Sequence, residues 1–248
     1  VRMNLRSSSV LLLASLVAFS SSSVLVSEPV GRFPDAFRQI AQFMNKPAPG
    51  DSLLCIDINF AHCQQDFDTA LGLPADITWR NGTLLSKSLT HLLEQDANEV
   101  LTLCDARAKF QQCLGAQYAS CISFYNLFPQ PNADIVEVYN YIVSLYRLSF
   151  ICDGGFEETL NNYGCVTQAA ETPAYIKCML DFVNEVTTDP SRLCRAVQNT
   201  GRCLNDVFSA ACTDDPNAAG WYGCELFRFA YEPMCYDVPR CFVHHRRP

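Results

Sequence analysis

The chain has 248 residues, 49% of them hydrophobic, with 26 acidic against 18 basic side chains and a formal net charge of −8. A chain of this length buries enough apolar surface to hold a core without staples, and its acidic balance excludes nucleic acid and anionic membrane surfaces as general partners. Fourteen cysteines, an even number, point to an oxidising compartment in which the thiols pair as seven disulfides.

Met3 and Arg6 lead into an apolar run from Val10 to Phe19, followed by Ser20 to Ser23. Charge, length and position read as a signal peptide over 1–23, cut near Ser23 or Ser27. The run is about half of the roughly 20 residues a helix needs to cross a bilayer, which disfavours a membrane anchor. Without Arg2 and Arg6 the chain carries 16 basic residues against 26 acidic, a net charge of −10. Residues 24–50, with Pro29, Pro34, Pro47, Pro49 and Gly50, read as a lead segment and linker with a turn or two of helix near Phe37, Ile40 and Phe43. No second apolar stretch of spanning length is expected. The end at His244, His245, Arg246, Arg247 and Pro248 reads as a polar tail rather than a lipid-attachment signal.

An internal repeat organises the rest. Cys104, Cys113-Leu114 and Cys121 recur as Cys194, Cys203-Leu204 and Cys212, with eight residues between the first two cysteines in both blocks. Cys63 precedes Asp66-Phe67 as Cys178 precedes Asp181-Phe182. Leu145-Tyr146-Arg147-Leu148 leads to Cys152 as Leu226-Phe227-Arg228-Phe229 leads to Cys235. Two units of six cysteines follow, with Cys55, Cys63, Cys104, Cys113, Cys121 and Cys152 over 51–164, and Cys165, Cys178, Cys194, Cys203, Cys212 and Cys235 over 165–248. Cys224 and Cys241 are left to pair with each other.

Both units read as helical, giving an all-α fold of two similar disulfide-stapled units in tandem. Leu84, Leu85, Leu89, Leu92 and Leu93 form a pattern that continues into Val100, Leu101 and Leu103. Ile135, Val138, Tyr139, Ile142, Leu145 and Tyr146 recur three and four apart behind a capping Asp134. Asp189-Pro190 places a cap before a first-turn proline and opens the helix that carries Cys194. No sustained alternation of period two predicts a sheet. Residues nine apart on a helix are ~13.5 Å apart along its axis, too far for a disulfide, whose Cα atoms lie about 4.4–6.8 Å apart. Cys104 and Cys113 therefore do not pair on one helix, and neither do Cys194 and Cys203. Each central trio is stapled to the three flanking cysteines of its unit, which leaves six connectivities of the fifteen that six cysteines allow.

The chemical inventory predicts no enzyme, no cofactor and no metal. His62 abuts a bridged cysteine, His91 sits among leucines on a helix flank, and His244 and His245 belong to the tail. Glu157-Glu158 and Asp214-Asp215 read as helix-start charges that favour the dipole rather than as a carboxylate dyad or a calcium site. No nucleophile elbow, zinc-protease helix, Walker loop or EF-hand series occurs. Asn81-Gly82-Thr83 is an N-glycosylation sequon, placed in a polar loop and expected to be modified at Asn81. The aromatic groups Phe124, Tyr125, Phe128; Trp221, Tyr222; and Phe227, Phe229, Tyr231 read as core, with a lipid cavity or a contact surface as the alternative.

The repeated cysteine blocks and the aromatic-Arg-aromatic approach to Cys235 resemble nematode secreted cysteine-rich domains, the chondroitin-proteoglycan-type domain and related nematode domains of unknown function, over about Cys55 to Cys241. The resemblance implies an extracellular helical module without enzymatic activity. The chain has no Ser-Gly dipeptide, so the usual glycosaminoglycan attachment signal is missing. The expected function is that of a secreted interaction or matrix protein whose partner is an extracellular protein or glycan. The alternative is a carrier that holds a lipid or other apolar small molecule between helices.

Overall fold

The computed structural model describes residues 55–242; the predicted signal peptide, the lead segment, and His244 and His245 with the basic tail lie outside the described residues. Among the described residues the chain is all-α, with no strand. In chain order the helices are α1 (Asp57–Ala70), α2 (Gly82–Gln95), α3 (Ala97–Leu114), α4 (Tyr118–Cys121), α5 (Phe124–Leu127), α6 (Ile135–Cys152), α7 (Phe156–Asn161), α8 (Tyr163–Ala169), α9 (Pro173–Thr188), α10 (Leu193–Ala211) and α11 (Pro216–Ala230). Short 3-10 turns at Trp79–Asn81, Gly115–Gln117 and Pro190–Arg192 join some of them.

Local chemistry sets the boundaries. Asp134 accepts from the amides of Val136 (2.8 Å) and Glu137 (3.4 Å) and starts α6. Thr172 with Pro173 starts α9, Asp189 with Pro190 starts the turn into α10, and Asp215 with Pro216 starts α11. Each satisfies amides that a helix start leaves open. The leucine pattern expected to run on from Leu84 to Leu103 is cut at Asp96, whose extended backbone ends α2 and whose carboxylate caps Asn98 at the start of α3. Leu85, Leu89, Val100 and Leu103 still face the core, while Leu84 and Leu101 are exposed.

Helix α6 is the centre of the molecule. It has the length and composition of a membrane-crossing helix, contrary to the expectation that no such stretch follows the leader, but 72% of it is buried inside the fold. Helices α2, α3 and α11 pack around it, α1 packs on α3, and α9 and α11 pack on α10. Two of these crossings are tight enough to require glycine. A Cβ on Gly82 would stand 2.1 Å from the Glu137 carbonyl and 2.4 Å from the Tyr141 amide, so α2 and α6 meet backbone to backbone. A Cβ on Gly223 would stand 2.5 Å from the Phe208 ring, where α11 crosses α10.

One core runs through both halves. The Phe150 ring on α6 lies 5.7–5.9 Å from the rings of Trp221, Tyr222 and Phe229 on α11, and the hydroxyls of Tyr139 and Tyr231 share a hydrogen bond. The division drawn at 164/165 passes through α8, so the halves are joined by helix rather than by a loop.

All fourteen cysteines are bridged. The bonds are Cys55–Cys121, Cys63–Cys113, Cys104–Cys152, Cys165–Cys212, Cys178–Cys203, Cys194–Cys235 and Cys224–Cys241. Both sets of six follow one pattern, first to fifth, second to fourth and third to sixth. The central helices α3 and α10 are each tied outward on both flanks, because their own cysteines face different sides.

Candidate functional site

Four residues of α6, Ser144, Arg147, Leu148 and Ile151, fall three and four apart and form one stripe. The stripe faces a cavity of about 90 Å³ closed by helices from both halves. Leu89, Thr90 and Leu93 come from α2; Tyr163, Val166 and Thr167 from α8; Leu204 and Phe208 from α10; and Tyr222, Leu226 and Phe227 from α11. A water needs about 10–15 Å³ in such a volume, so the space takes several waters or one slender organic chain. Leu148, Leu204, Phe208, Tyr222 and Phe227 are buried, whereas Leu93, Arg147, Tyr163, Thr167 and Leu226 keep partial exposure. The cavity thus grades from a buried floor to a half-open rim, across which the Tyr163 hydroxyl donates to the Leu93 carbonyl at 2.8 Å.

The polar groups of the wall are mostly satisfied by the wall itself. Thr90 donates to the Ser86 carbonyl at 2.9 Å, Thr159 to Gly155 at 2.7 Å and Thr167 to Tyr163 at 2.8 Å. Ser144 has a buried Oγ with no hydrogen-bond partner. Burial raises the Tyr222 phenol to about 12, against the opposing pull of its hydrogen bond with Thr159 and of the Arg147 charge. Burial raises Tyr175 as well, again with Arg147 pulling down. Both phenols therefore stay neutral at any physiological pH. The site offers apolar walls, neutral hydroxyls and one guanidinium.

The residues singled out by sequence lie mostly elsewhere. Asn81 is half-buried at the end of a 3-10 turn that leads into α2, not in an open loop. It accepts from the Thr78 amide at 2.6 Å and donates to the Asp76 carbonyl at 3.0 Å, and its sequon partner Thr83 donates to Glu137 at 2.9 Å. The turn forms because Thr78 and Asn81 cap it reciprocally. His62 is exposed with Asp66 at 3.7 Å, and His91 is exposed on α2. Glu157 and Glu158 occupy the first turn of α7, and Asp215 caps α11 through the Ala218 amide at 3.1 Å. Of the aromatic groups, Phe124, Tyr222, Phe227 and Tyr231 are buried, Phe128 is exposed, and only Tyr222 and Phe227 reach the cavity. Among the described residues no group of three or more His, Cys, Asp or Glu side chains is placed to hold a metal.

Sequence reasoning missed Ser144 as a site residue and used Arg147 only as a marker of the repeat. The available signal was the three-residue spacing of Ser144 and Arg147 on a mainly apolar helix. A second, more polar groove of about 520 Å³ lies between α10, α11 and the segment that follows, with exposed Arg202 and Arg240 on its walls.

Fold and cavity together define a disulfide-stapled, all-α scaffold around an internal apolar chamber. No protein-family model matches the chain, and neither the curated proteins nor the solved structures contain a match.

Proposed function

We propose that the chain is a secreted, non-catalytic binding protein in which two copies of one stapled helical unit enclose an apolar small molecule. The observation that carries this reading is the cavity itself, walled by α2 and α6 from one half, α10 and α11 from the other, and α8 where the two halves join. Its lining is predominantly aliphatic and aromatic, the composition of small-molecule sites. The seven bridges fit an oxidising, extracellular setting, and they leave no free thiol to serve as a nucleophile among the described residues. The shared disulfide pattern supports the duplication, and kinship with nematode secreted cysteine-rich domains belongs to the same proposal.

Native mass spectrometry of the protein secreted from eukaryotic cells tests the reading. A co-purifying small apolar mass, or stoichiometric uptake of an added apolar probe, is expected. A bare protein that takes up no probe refutes it. Glycosylation at Asn81 is compatible with this fold, because a glycosylated amide keeps one N–H for the Asp76 carbonyl. A mass loss on glycosidase treatment that disappears in Asn81→Gln is the expected result.

A second reading, attachment to an extracellular protein or glycan, is favoured by the groove with Arg202 and Arg240 in an otherwise acidic chain. Capture of an anionic extracellular glycan by the wild type but not by the double variant Arg202→Ser, Arg240→Ser would support it.

A further inference from the structure

The wall of the cavity carries a buried oxygen that the protein leaves without a hydrogen bond. Thr90, Thr159 and Thr167 each donate to the carbonyl four residues before them, at 2.9, 2.7 and 2.8 Å, and the Tyr163 hydroxyl donates to the Leu93 carbonyl. On α6 itself Ser149 bonds the Leu145 carbonyl at 2.9 Å, the usual choice of a helical serine. Ser144, in the stripe of α6 that faces the cavity, makes no such bond. It is 4% exposed, and a buried polar atom without a partner calls for one. Three side-chain oxygens among the described residues are buried in this way, Asp68 Oδ2, Ser86 Oγ and Ser144 Oγ, and of these residues only Ser144 lines the cavity.

The second half shows the same position satisfied from within. Aligned by the tetrapeptides that approach Cys152 and Cys235, Ser144 on α6 corresponds to Glu225 on α11. Glu225 is equally buried, and its carboxylate accepts from Arg228 at 2.7 and 2.8 Å and from the Cys241 amide. Both copies thus bury a polar side chain at this place, and in the first copy it borders the cavity.

A serine hydroxyl has one proton to donate and lone pairs with which to accept. An alcohol answers both, a ketone or an ether only accepts, and a hydrocarbon does neither. The surroundings call for no charge on the ligand: the Tyr175 and Tyr222 phenols stay neutral, and Arg147 already has a partner of its own. An ionised head would also have to give up its water to an aliphatic wall. Volume sets the length, because about 90 Å³ at about 10–15 Å³ for each water-sized group holds roughly six to nine non-hydrogen atoms. We infer that the cavity takes a neutral straight-chain alcohol of about five to eight carbons, its hydroxyl on Ser144 Oγ and its chain along Leu148, Leu204 and Phe208. This rests on the reading of the cavity as a ligand site and adds the ligand's head group and length.

The test is isothermal titration of the secreted, disulfide-intact protein, stripped of bound lipid, with 1-hexanol, 1-chlorohexane and hexanoate, as wild type and as Ser144→Ala. The wild type binds 1-hexanol, and hexanoate more weakly. The ratio of 1-hexanol affinity to 1-chlorohexane affinity, which cancels the common alkyl chain, falls about fivefold in Ser144→Ala, as the loss of one net hydrogen bond requires. An unchanged ratio, uptake of 1-chlorohexane without 1-hexanol, or hexanoate binding at least as tight as 1-hexanol overturns the assigned head group and leaves the cavity reading intact. Failure of all three probes to bind sinks the cavity reading and this inference with it. Thermal unfolding of the empty proteins supplies a second readout: Ser144→Ala removes an oxygen without a partner and unfolds at the same temperature as the wild type or higher. A lower unfolding temperature would show that the Oγ is bonded within the fold and would overturn the proposal.

Discussion

Asp68 gives the sharpest test of the energetics. It lies on α1, 1% exposed, accepting from Gln64 Nε2 at 2.8 Å, while Gln64 Oε1 accepts in turn from the Tyr141 hydroxyl of α6. Its second oxygen is buried without a hydrogen-bond partner. Burial is the main cause that raises its pKa from 3.8 to about 6, with the Gln64 bond opposing and the Asp76 charge adding. A raised pKa means that the folded state holds a proton which the unfolded chain releases between these values. Stability from this group is therefore complete below pH 3.8 and is lost as pH rises through about 6. At 1.36 kcal/mol per pH unit the loss amounts to at most about 3 kcal/mol, and water reaching the carboxylate reduces it. The variant Asp68→Asn keeps the shape and cannot ionise. Guanidinium unfolding of both proteins with disulfides intact, followed by far-UV circular dichroism from about pH 3.5 to pH 7.5, should show the wild type losing stability relative to the variant across that window. Parallel profiles would refute the reasoning, because they would mean that burial does not hold this carboxyl neutral.

Three further outcomes are expected. Peptide mapping under non-reducing conditions should recover the pairs Cys55–Cys121, Cys63–Cys113 and Cys104–Cys152 alongside Cys165–Cys212, Cys178–Cys203 and Cys194–Cys235; any exchange between the two sets contradicts the fold. Gly82→Ala places a methyl group against the backbone of α6, which cannot yield as a side chain would, and should cost about 1–3 kcal/mol in thermal unfolding; a neutral result would show that α2 and α6 are not in such contact. Arg228→Met strands the buried Glu225 carboxylate, which then keeps only the Cys241 amide, and should destabilise by about 3–5 kcal/mol. The double change Arg228→Met, Glu225→Met should recover much of that loss, and a double variant no more stable than the single one would show that the stranded charge was not the cause.

The sequence by itself determined the local layer of this protein. Asp134, Thr172-Pro173, Asp189-Pro190 and Asp215-Pro216 satisfy helix-start amides from within a few residues, so they act wherever the helix finally lies. The nine-residue spacing of Cys104 and Cys113 likewise excluded a bond within α3 by helix geometry alone. The one place where local reading ran too far, the leucines from Leu84 to Leu103, was cut by a single capping residue, Asp96, that the apolar pattern does not register. Which of the six connectivities forms depended on how α1, α4, α6 and the segments around α9 and α11 dock on the central helices, and docking is decided by surfaces distant in sequence. The cavity is tertiary for the same reason. Ser144 and Arg147 sit on a helix that reads as plain core, and they line a cavity only because α2, α8, α10 and α11 stop short of filling the space beside them. Tyr139 and Tyr231, 92 residues apart, meet only once α6 and α11 have packed, because a core contact of that span reflects the summed shape of both halves rather than any motif in either.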